Sequence, residues 1–468
     1  MIHQLELKSA DFEIDPTLSS TGTLSLFNRI KHLPWPLLLH SSSHQQGMGR
    51  YDIFTANPRF RILSQQGQLQ LIDEQNNCVK LADQGSPFAF VKSAMAYWQE
   101  TKSIPAIAHS ETPLPGAYGY FGYDLARSLE KLPTSAQRDI DLAELAIGLY
   151  ETLVVIDHQQ HTVKIISVAG EQALEHWHTL ITAPSPVIEN FSLQKPFDSN
   201  FSEEQYQHAF NKIHDYIHSG DCYQINLAQR FQSRFKGDPW HAYCALAEQA
   251  PTPYGGFFKT DEATLLSLSP EQFIGVQNSE AQTKPIKGTI KRSDNNQRDM
   301  QNLHTLKNSG KDQAENLMIV DLLRNDFSKL CEPFSVKVEK LFDLESFSNV
   351  HHLVSTITGK LPEESSSIDL LESCFPGGSI TGAPKIRAME IIDELETARR
   401  TLYCGSLGYW DIADNLDTNI LIRSFLCKDD DIYCWAGGGI VADSTSENEY
   451  QETFDKVTRF IQILENLS

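Results

Sequence analysis

The chain has 468 residues, 61 of them acidic and 39 basic, and a formal net charge of −22 at neutral pH. A field of that sign disfavours nonspecific binding to nucleic acid or to an anionic membrane surface. The length allows two or three average domains, or one large layered domain with a substantial core. No apolar run approaches the ~18 residues needed to cross a bilayer, and the segment Met1 to Glu6 lacks the basic and apolar regions of a signal peptide, so a cytoplasmic location is expected. The eight cysteines are scattered with no Cys-x-x-Cys pair, and they read as reduced thiols, not disulfides or zinc ligands.

Residues 1–185 are dense in short β-type runs, such as Leu37-Leu38-Leu39, Leu69-Gln70-Leu71-Ile72 and Leu153-Val154-Val155-Ile156, broken by Gly, Pro and Ser clusters. They are predicted to form a β-rich N-terminal domain. From Thr182 to Asn200 the sequence is polar, proline-bearing and without period, which reads as a linker. Ser202 then caps a predicted helix whose apolar positions, Tyr206, Phe210, Ile213 and Ile217, recur at helical spacing until Gly220 stops it. Strands and helices mix beyond it without a regular βαβ rhythm, so residues 201–462 are predicted to form a second domain. The expected fold is mixed α/β (α+β): a layered sandwich of packed sheets flanked by helices, in two subdomains.

Five segments carry groups suited to chemistry. In Leu268 to Phe273, Glu271 stands beside a proline among apolar neighbours; burial there raises a carboxyl pKa toward general-acid use, and a purely structural carboxylate is the alternative. Thr283 to Arg292 holds four basic residues and no acid, which suits an anionic ligand or, more plainly, a solvated basic hairpin. Lys287 differs from its neighbours because Ile286 and Gly288 flank it. A lysine partly desolvated near other cations has a lowered pKa and can serve as an amine nucleophile.

Asp312 and Glu315 share one face of a predicted helix, and Glu449, Glu452 and Lys456 share a face of another. Carboxylates from two helices suit Mg²⁺, which takes hard oxygen ligands. Ser446-x-x-Glu449 also reads as a capping box, and solvated helix charge is the alternative for the others. In Phe375 to Lys385, glycines and small hydroxyl residues run into a helix marked by Ile386, Met389, Ile392 and Leu395, an arrangement that offers backbone amides to an anion or simply caps a helix. No Gly-Lys-Ser/Thr closes it, so it is not a nucleotide loop. The run Gly437-Gly438-Gly439 reads either as an anion-binding backbone or as a tight turn.

Together and in this order, these segments resemble the chorismate-utilising enzymes, the family of anthranilate, aminodeoxychorismate, isochorismate and salicylate synthases. The resemblance is dense over residues 200–460 and looser before them, at His32-Leu33-Pro34-Trp35 and Phe121-Gly122-Tyr123-Asp124. Position 287 discriminates within it: anthranilate synthases carry alanine there and aminodeoxychorismate synthases carry lysine, so the sequence resembles the latter branch, in para-aminobenzoate and folate biosynthesis. Gln224 stands where the water-adding members have a lysine base, and glutamine cannot deprotonate water.

The resemblance implies Mg²⁺ held by Glu315 and Glu452, with Asp312 and Glu449 near it or in its water shell. It implies Glu271 as general acid for the C4 hydroxyl of chorismate and Lys287 as an amine that adds at C2 before ammonia attacks C4. Substrate contacts are implied for Gln224, Thr289, His352, Tyr409, Arg423 and Lys456, and for backbone groups around Thr381, Gly382, Ala383, Gly438 and Gly439. No Gly-x-Cys-x-Gly segment of a glutamine amidotransferase occurs, so a separate amidotransferase subunit, making a heterodimer, is expected to supply ammonia. With the last motif close to residue 468, no fused lyase is expected, and the expected product is 4-amino-4-deoxychorismate. In relatives the N-terminal part binds tryptophan; Leu39-His40-Ser41 and Pro251-Thr252-Pro253-Tyr254 resemble the edges of that pocket, with core packing as the alternative. The rival readings are an anthranilate synthase and a non-catalytic tryptophan-binding subunit.

Overall fold

The computed structural model describes residues 2–7, 20–42, 49–81, 85–105, 107–347 and 350–467. Consecutive apolar residues in the central strands fill two different cores. Leu37, Phe258, Leu265 and Leu426 pack on one side, while Leu38, Phe257, Leu266 and Phe425 pack on the other. Successive strand side chains point to opposite faces, so such continuous apolar runs mark a sheet covered on both sides.

That sheet runs in the order His3–Leu7, Thr162–Ser167, Thr152–Asp157, Tyr51–Thr55, Leu37–His40, Tyr254–Lys259, Thr264–Ser269, Ser424–Lys428, Asp431–Ile440 and Gln224–Lys236, and the last strand also pairs with Gly382–Ala383. A second sheet runs Ile286–Lys291, Val350–Lys360, Glu280–Thr283, Gln272–Gln277, Leu416–Asn419, Ser406–Asp411, Gly116–Phe121, Leu145–Tyr150, Phe60–Gln65, Gln68–Asp73 and Cys78–Val79. The sheets meet face to face, as where Phe258 packs edge-on against Tyr120 with ring centroids 6.1 Å apart. Helices Pro239–Gln249 and Ser446–Glu465 cover the outer face of the first sheet, and Gly310–Ser328 packs on the second. This is the mixed α/β layered sandwich expected from the sequence.

Both sheets draw strands from either side of residues 186–200. His40 pairs with Gly255 in the first sheet and Phe121 with Ser406 in the second. The polar stretch read as a linker adds two short strands, Ser192–Leu193 and Asp198–Ser199, along Gln224–Lys236. The helix predicted after it spans Glu203–His218, with Ser202 and Gln205 closing a capping box and Tyr206, Phe210 and Ile213 buried. All eight cysteines are free. Among the described residues no helix is long and apolar enough to cross a membrane.

Candidate active site

Two chain crossings between the sheets place the acid and the guanidinium. Ser269 ends a strand of the first sheet and Gln272 begins one of the second, so Glu271 lies at the seam; Arg423 lies where the chain returns from Asn419 to Ser424. Glu271 is only 6% exposed, and burial pushes its carboxyl up to about 7 against the pull of Lys287, the Ser379 hydroxyl, the Ile286 amide and Arg423. Arg423 makes no side-chain hydrogen bond or ion pair among the described residues, and burial lowers its pKa. A guanidinium without a bonded carboxylate in a cleft is a ready anion site.

Lys287 owes its position to a β-bulge. Strand Ile286–Lys291 pairs with Val350–Lys360 as Ile286 with Val354 and Thr289 with His352, so one extra residue stands between those pairs. Gly288 takes the left-handed φ of +82° that the bulge requires. Lys287 is half-buried. Loss of water lowers its amine pKa, opposed chiefly by Glu315 and reinforced by Lys456. Lys287 and Glu271 therefore feel each other, and Glu315 feels both Lys287 and Glu452.

His352 accompanies them, 3% exposed, with Nδ1 at 2.7 Å from Thr289 Oγ1. Burial, then Arg423, pushes the imidazole down to about 3, so it acts as a neutral hydrogen-bonding group at any physiological pH. Thr289 itself is exposed at the rim.

The acidic group converges from helices Gly310–Ser328 and Ser446–Glu465. Burial raises the Glu315 carboxyl, and Asp312 and Glu452 raise it further. Burial also raises Glu449, which accepts the Ser444 hydroxyl at 2.7 Å. Glu452 is pushed up by burial but ends below its usual value because Lys456 pairs with it at 2.7 Å. Helix Ser446–Glu465 is preceded by Thr445 at its cap, so Ser446 and Glu449 do not form the capping box and the glutamate turns inward, 4% exposed. Among the described residues no three His, Cys, Asp or Glu side chains form a ready-made metal cage. Carboxylates that repel one another across two helices, with oxygen donors only, nonetheless fit a hard cation such as Mg²⁺.

The glycine run lies in strand Asp431–Ile440, not in a turn. Its register with Ser424–Lys428 reaches only Cys434, so the edge at Gly437 to Gly439 is left to other groups; Lys456 Nζ donates to the Gly437 carbonyl at 2.7 Å. A Cβ on Gly438 would lie 2.7 Å from Glu449 Oε2 and 3.7 Å from Glu452 Oε1, and one on Gly439 would lie 2.9 Å from Gln224 Nε2. The glycines thus make room for the carboxylates and for Gln224. That glutamine is fully buried, and neither amide atom has a hydrogen-bond partner among the described residues. An orphaned amide of this kind costs about 1–3 kcal/mol unless a ligand satisfies it.

Gly382 and Ala383 pair with Ile225 and Gln224, and the predicted helix follows directly behind them. The helix spans Lys385–Leu395 behind Pro384, and the Thr381 hydroxyl is spent on the Gly377 carbonyl at 3.0 Å. What borders the cleft is the turn Gly378–Ile380 before it. Ser379 in that turn touches Glu271, a role the sequence reading passed over although Ser379 lies inside the glycine-rich segment.

Tyr409, for which the resemblance implied a substrate contact, borders a second space. It stacks on Tyr118 at 5.2 Å and lines a cavity of about 260 Å³ between the two sheets, together with His40, Ser41, Pro253, Tyr254 and Gln272. The reason is register: Tyr409 pairs with Tyr118 and Asp417 in the second sheet, on the face turned to the first. His40, Ser41 and Tyr254, expected at a tryptophan pocket, are brought together there; Pro251 is not among the lining residues and Pro253 is.

The sequence is 46% identical over 440 residues to aminodeoxychorismate synthase component 1 of Escherichia coli K12, covering 94% of this chain and 95% of that one. It is 32% identical over 463 residues to anthranilate synthase component 1 of Aquifex aeolicus, covering 94% and 92%. The crystal structure of anthranilate synthase component I from Streptococcus pneumoniae TIGR4 matches with a TM-score of 0.78 at 30% identity, over 88% of this chain and 92% of that one. The chorismate binding enzyme family matches residues 48–462, and this chain belongs to that family.

Proposed function

We propose that the chain is the chorismate-aminating component of an aminodeoxychorismate synthase, converting chorismate and ammonia to 4-amino-4-deoxychorismate in the para-aminobenzoate branch of folate biosynthesis. One observation carries this reading: a lysine amine with a lowered pKa, set on a bulge near a buried carboxyl raised to about 7 and a cluster of carboxylates. The high identity to aminodeoxychorismate synthase components supports it over anthranilate synthase.

Arg423 and the buried amide of Gln224 would hold the substrate's carboxylate and polar edge, and His352 would sit by the ring as a neutral partner. Mg²⁺, with Glu315 and Glu452 as ligands and Asp312 and Glu449 near it, would bind the ring carboxylate and draw electron density from the ring. Lys287 Nζ donates its lone pair to C2, the ring double bonds shift, and the C4–O bond breaks as Glu271 gives that oxygen a proton, so it leaves as water. The proton released by the new C2–N bond restores the acid. Ammonia then adds at C4, the double bonds shift back as the C2–N bond breaks, and the proton lost by the new C4 ammonium reaches Lys287 Nζ through Glu271, so the lysine departs as the free amine. Closing the cleft to bulk water keeps hydrolysis from competing.

We also infer a cytoplasmic heterodimer with a glutamine amidotransferase as the ammonia source; the relatives' description as components of a synthase supports a second subunit. The cavity between the sheets supports tryptophan as its ligand, because an aromatic wall of Tyr409 and Tyr254 faces His40 and Ser41 in a space of about 260 Å³. The central test incubates the purified chain with chorismate, Mg²⁺ and ammonium, identifies the product, and examines the intact mass without ammonium. Aminodeoxychorismate and an adduct on Lys287 are expected. Anthranilate as the main product, or an unmodified Lys287, would overturn the assignment.

A further inference from the structure

The two oxygens of the Glu271 carboxyl are not equivalent. Ser379, 7% exposed, donates its hydroxyl hydrogen to Oε1 at 3.2 Å; the Ile286 backbone amide also bonds this carboxyl, and among the described residues no other side chain does. The Ser379 hydroxyl has no other side-chain or carbonyl acceptor among them either, which sets the direction of the bond. The turn that carries Ser379 is pinned on both sides of it. Asn226 Nδ2 and Arg400 Nη1 donate to the Ile380 carbonyl at 2.8 and 3.0 Å, and the Thr381 hydroxyl holds the Gly377 carbonyl at 3.0 Å.

We propose that Ser379 is a positioning residue for the general acid: by holding Oε1 it leaves the transferable proton on Oε2 and stabilises the carboxylate that remains once that proton has gone. This rests on Glu271 being the proton donor. In the step, the Oε2–H bond breaks, its electron pair stays on the carboxylate, and the proton joins the C4 oxygen, which departs as water while Lys287 bonds to C2. A hydrogen bond to an ionised acceptor is roughly twice as strong as one to a neutral acceptor. Ser379 therefore favours the product of proton transfer over the resting acid. Lys287, the Ile286 amide and Arg423 act on the same carboxyl in the same sense, burial opposes them all, and Cys404 also lies within range.

The test follows the rate of Lys287 adduct formation from chorismate and Mg²⁺, without ammonium, by rapid quench and intact mass across pH. For the unaltered protein the rate falls on the alkaline side as Glu271 ionises, near pH 7. Ser379→Ala is expected to slow the plateau about tenfold and to move the alkaline fall to higher pH, because the ionised acid has lost a donor; Ser379→Thr restores both. If Ser379→Ala fails to fold, Ser379→Cys keeps the shape with a weak donor and is expected to shift the fall in the same direction. A turn merely loosened would admit water and move the fall to lower pH, and that result overturns the proposal. So does an unmoved fall in Ser379→Ala while Glu271→Gln is slow and flat with pH. If Glu271→Gln keeps both the rate and the profile, Glu271 is not the acid, and the functional reading fails with it.

Discussion

Gly288 and Asp312 lie so close that a Cβ on the glycine would stand 2.9 Å from the aspartate Cγ. The contact joins the strand that carries Lys287 to the first turn of the helix that carries Glu315. It requires glycine twice over, for space and for the φ of +82°. Gly288→Ala therefore meets a backbone cost of ~1–2 kcal/mol as well as the clash. The expected outcome is a lower melting temperature and an adduct-forming rate that drops further than the folded fraction explains, read by circular dichroism and intact mass on one sample. Unchanged values for both would show that the bulge does not aim the lysine.

Glu271 should make stability depend on pH in a definite direction. Its folded pKa, about 7, lies above its ordinary 4.5, so the folded chain holds a proton that the unfolded chain releases. That contribution, roughly 3 kcal/mol at most, is fully present below pH 4.5 and is lost as pH rises through about 7. Glu271→Gln removes the ionisable group, so its melting temperature relative to the unaltered protein should rise between pH 5 and pH 8, while adduct formation becomes slow and flat with pH. A stability difference that stays level over that range would mean that the carboxyl is not held neutral by burial.

The acidic cluster predicts a metal requirement that separates from folding. EDTA should stop product formation, and Glu315→Ala should raise the Mg²⁺ concentration needed for half-maximal adduct formation by about tenfold or more. The fold should stand, because the variant relieves repulsion from Asp312 and Glu452 while losing a 3.8 Å pairing with the exposed Lys311 and the attraction to Lys287. A Mg²⁺ titration with a circular-dichroism melt decides it. An unaltered midpoint would remove Glu315 from the site.

Much of this arrangement was legible in the sequence because its signals are local. Gly288 sets Lys287 apart from its basic neighbours, the spacing of Asp312 and Glu315 fixes a shared helix face, and Ser202 ahead of Tyr206, Phe210 and Ile213 marks a helix start. The misreadings concern what only tertiary contact decides. Gly437 to Gly439 carries the composition of a turn, yet the carboxylates of Glu449 and Glu452 and the amide of Gln224 need its missing side chains within a strand. Ser446 and Glu449 have capping-box spacing, but Ser444 takes the glutamate instead. The sharing of both sheets by the N-terminal and C-terminal segments was not legible, since pairing His40 with Gly255 joins residues more than two hundred positions apart.

Tyr409 supplies a prediction that keeps the two sites apart. Its ring stacks on Tyr118 inside the cavity shared with His40, Ser41 and Tyr254, and Lys287, Glu271 and Glu315 are not among the residues lining that space. Removing a buried aromatic wall from a small-molecule site commonly costs about 2 kcal/mol or more in binding. Tyr409→Ala is therefore expected to weaken tryptophan binding at least tenfold in calorimetry, with the KM for chorismate and the rate of Lys287 adduct formation unchanged. The reverse pattern, a raised KM for chorismate with tryptophan binding intact, would place Tyr409 in the catalytic cleft after all. Loss of both together would mean that the stack on Tyr118 holds the two sheets in register, so the variant Tyr409→Phe, which keeps the ring and the stack, should then restore the chorismate reaction.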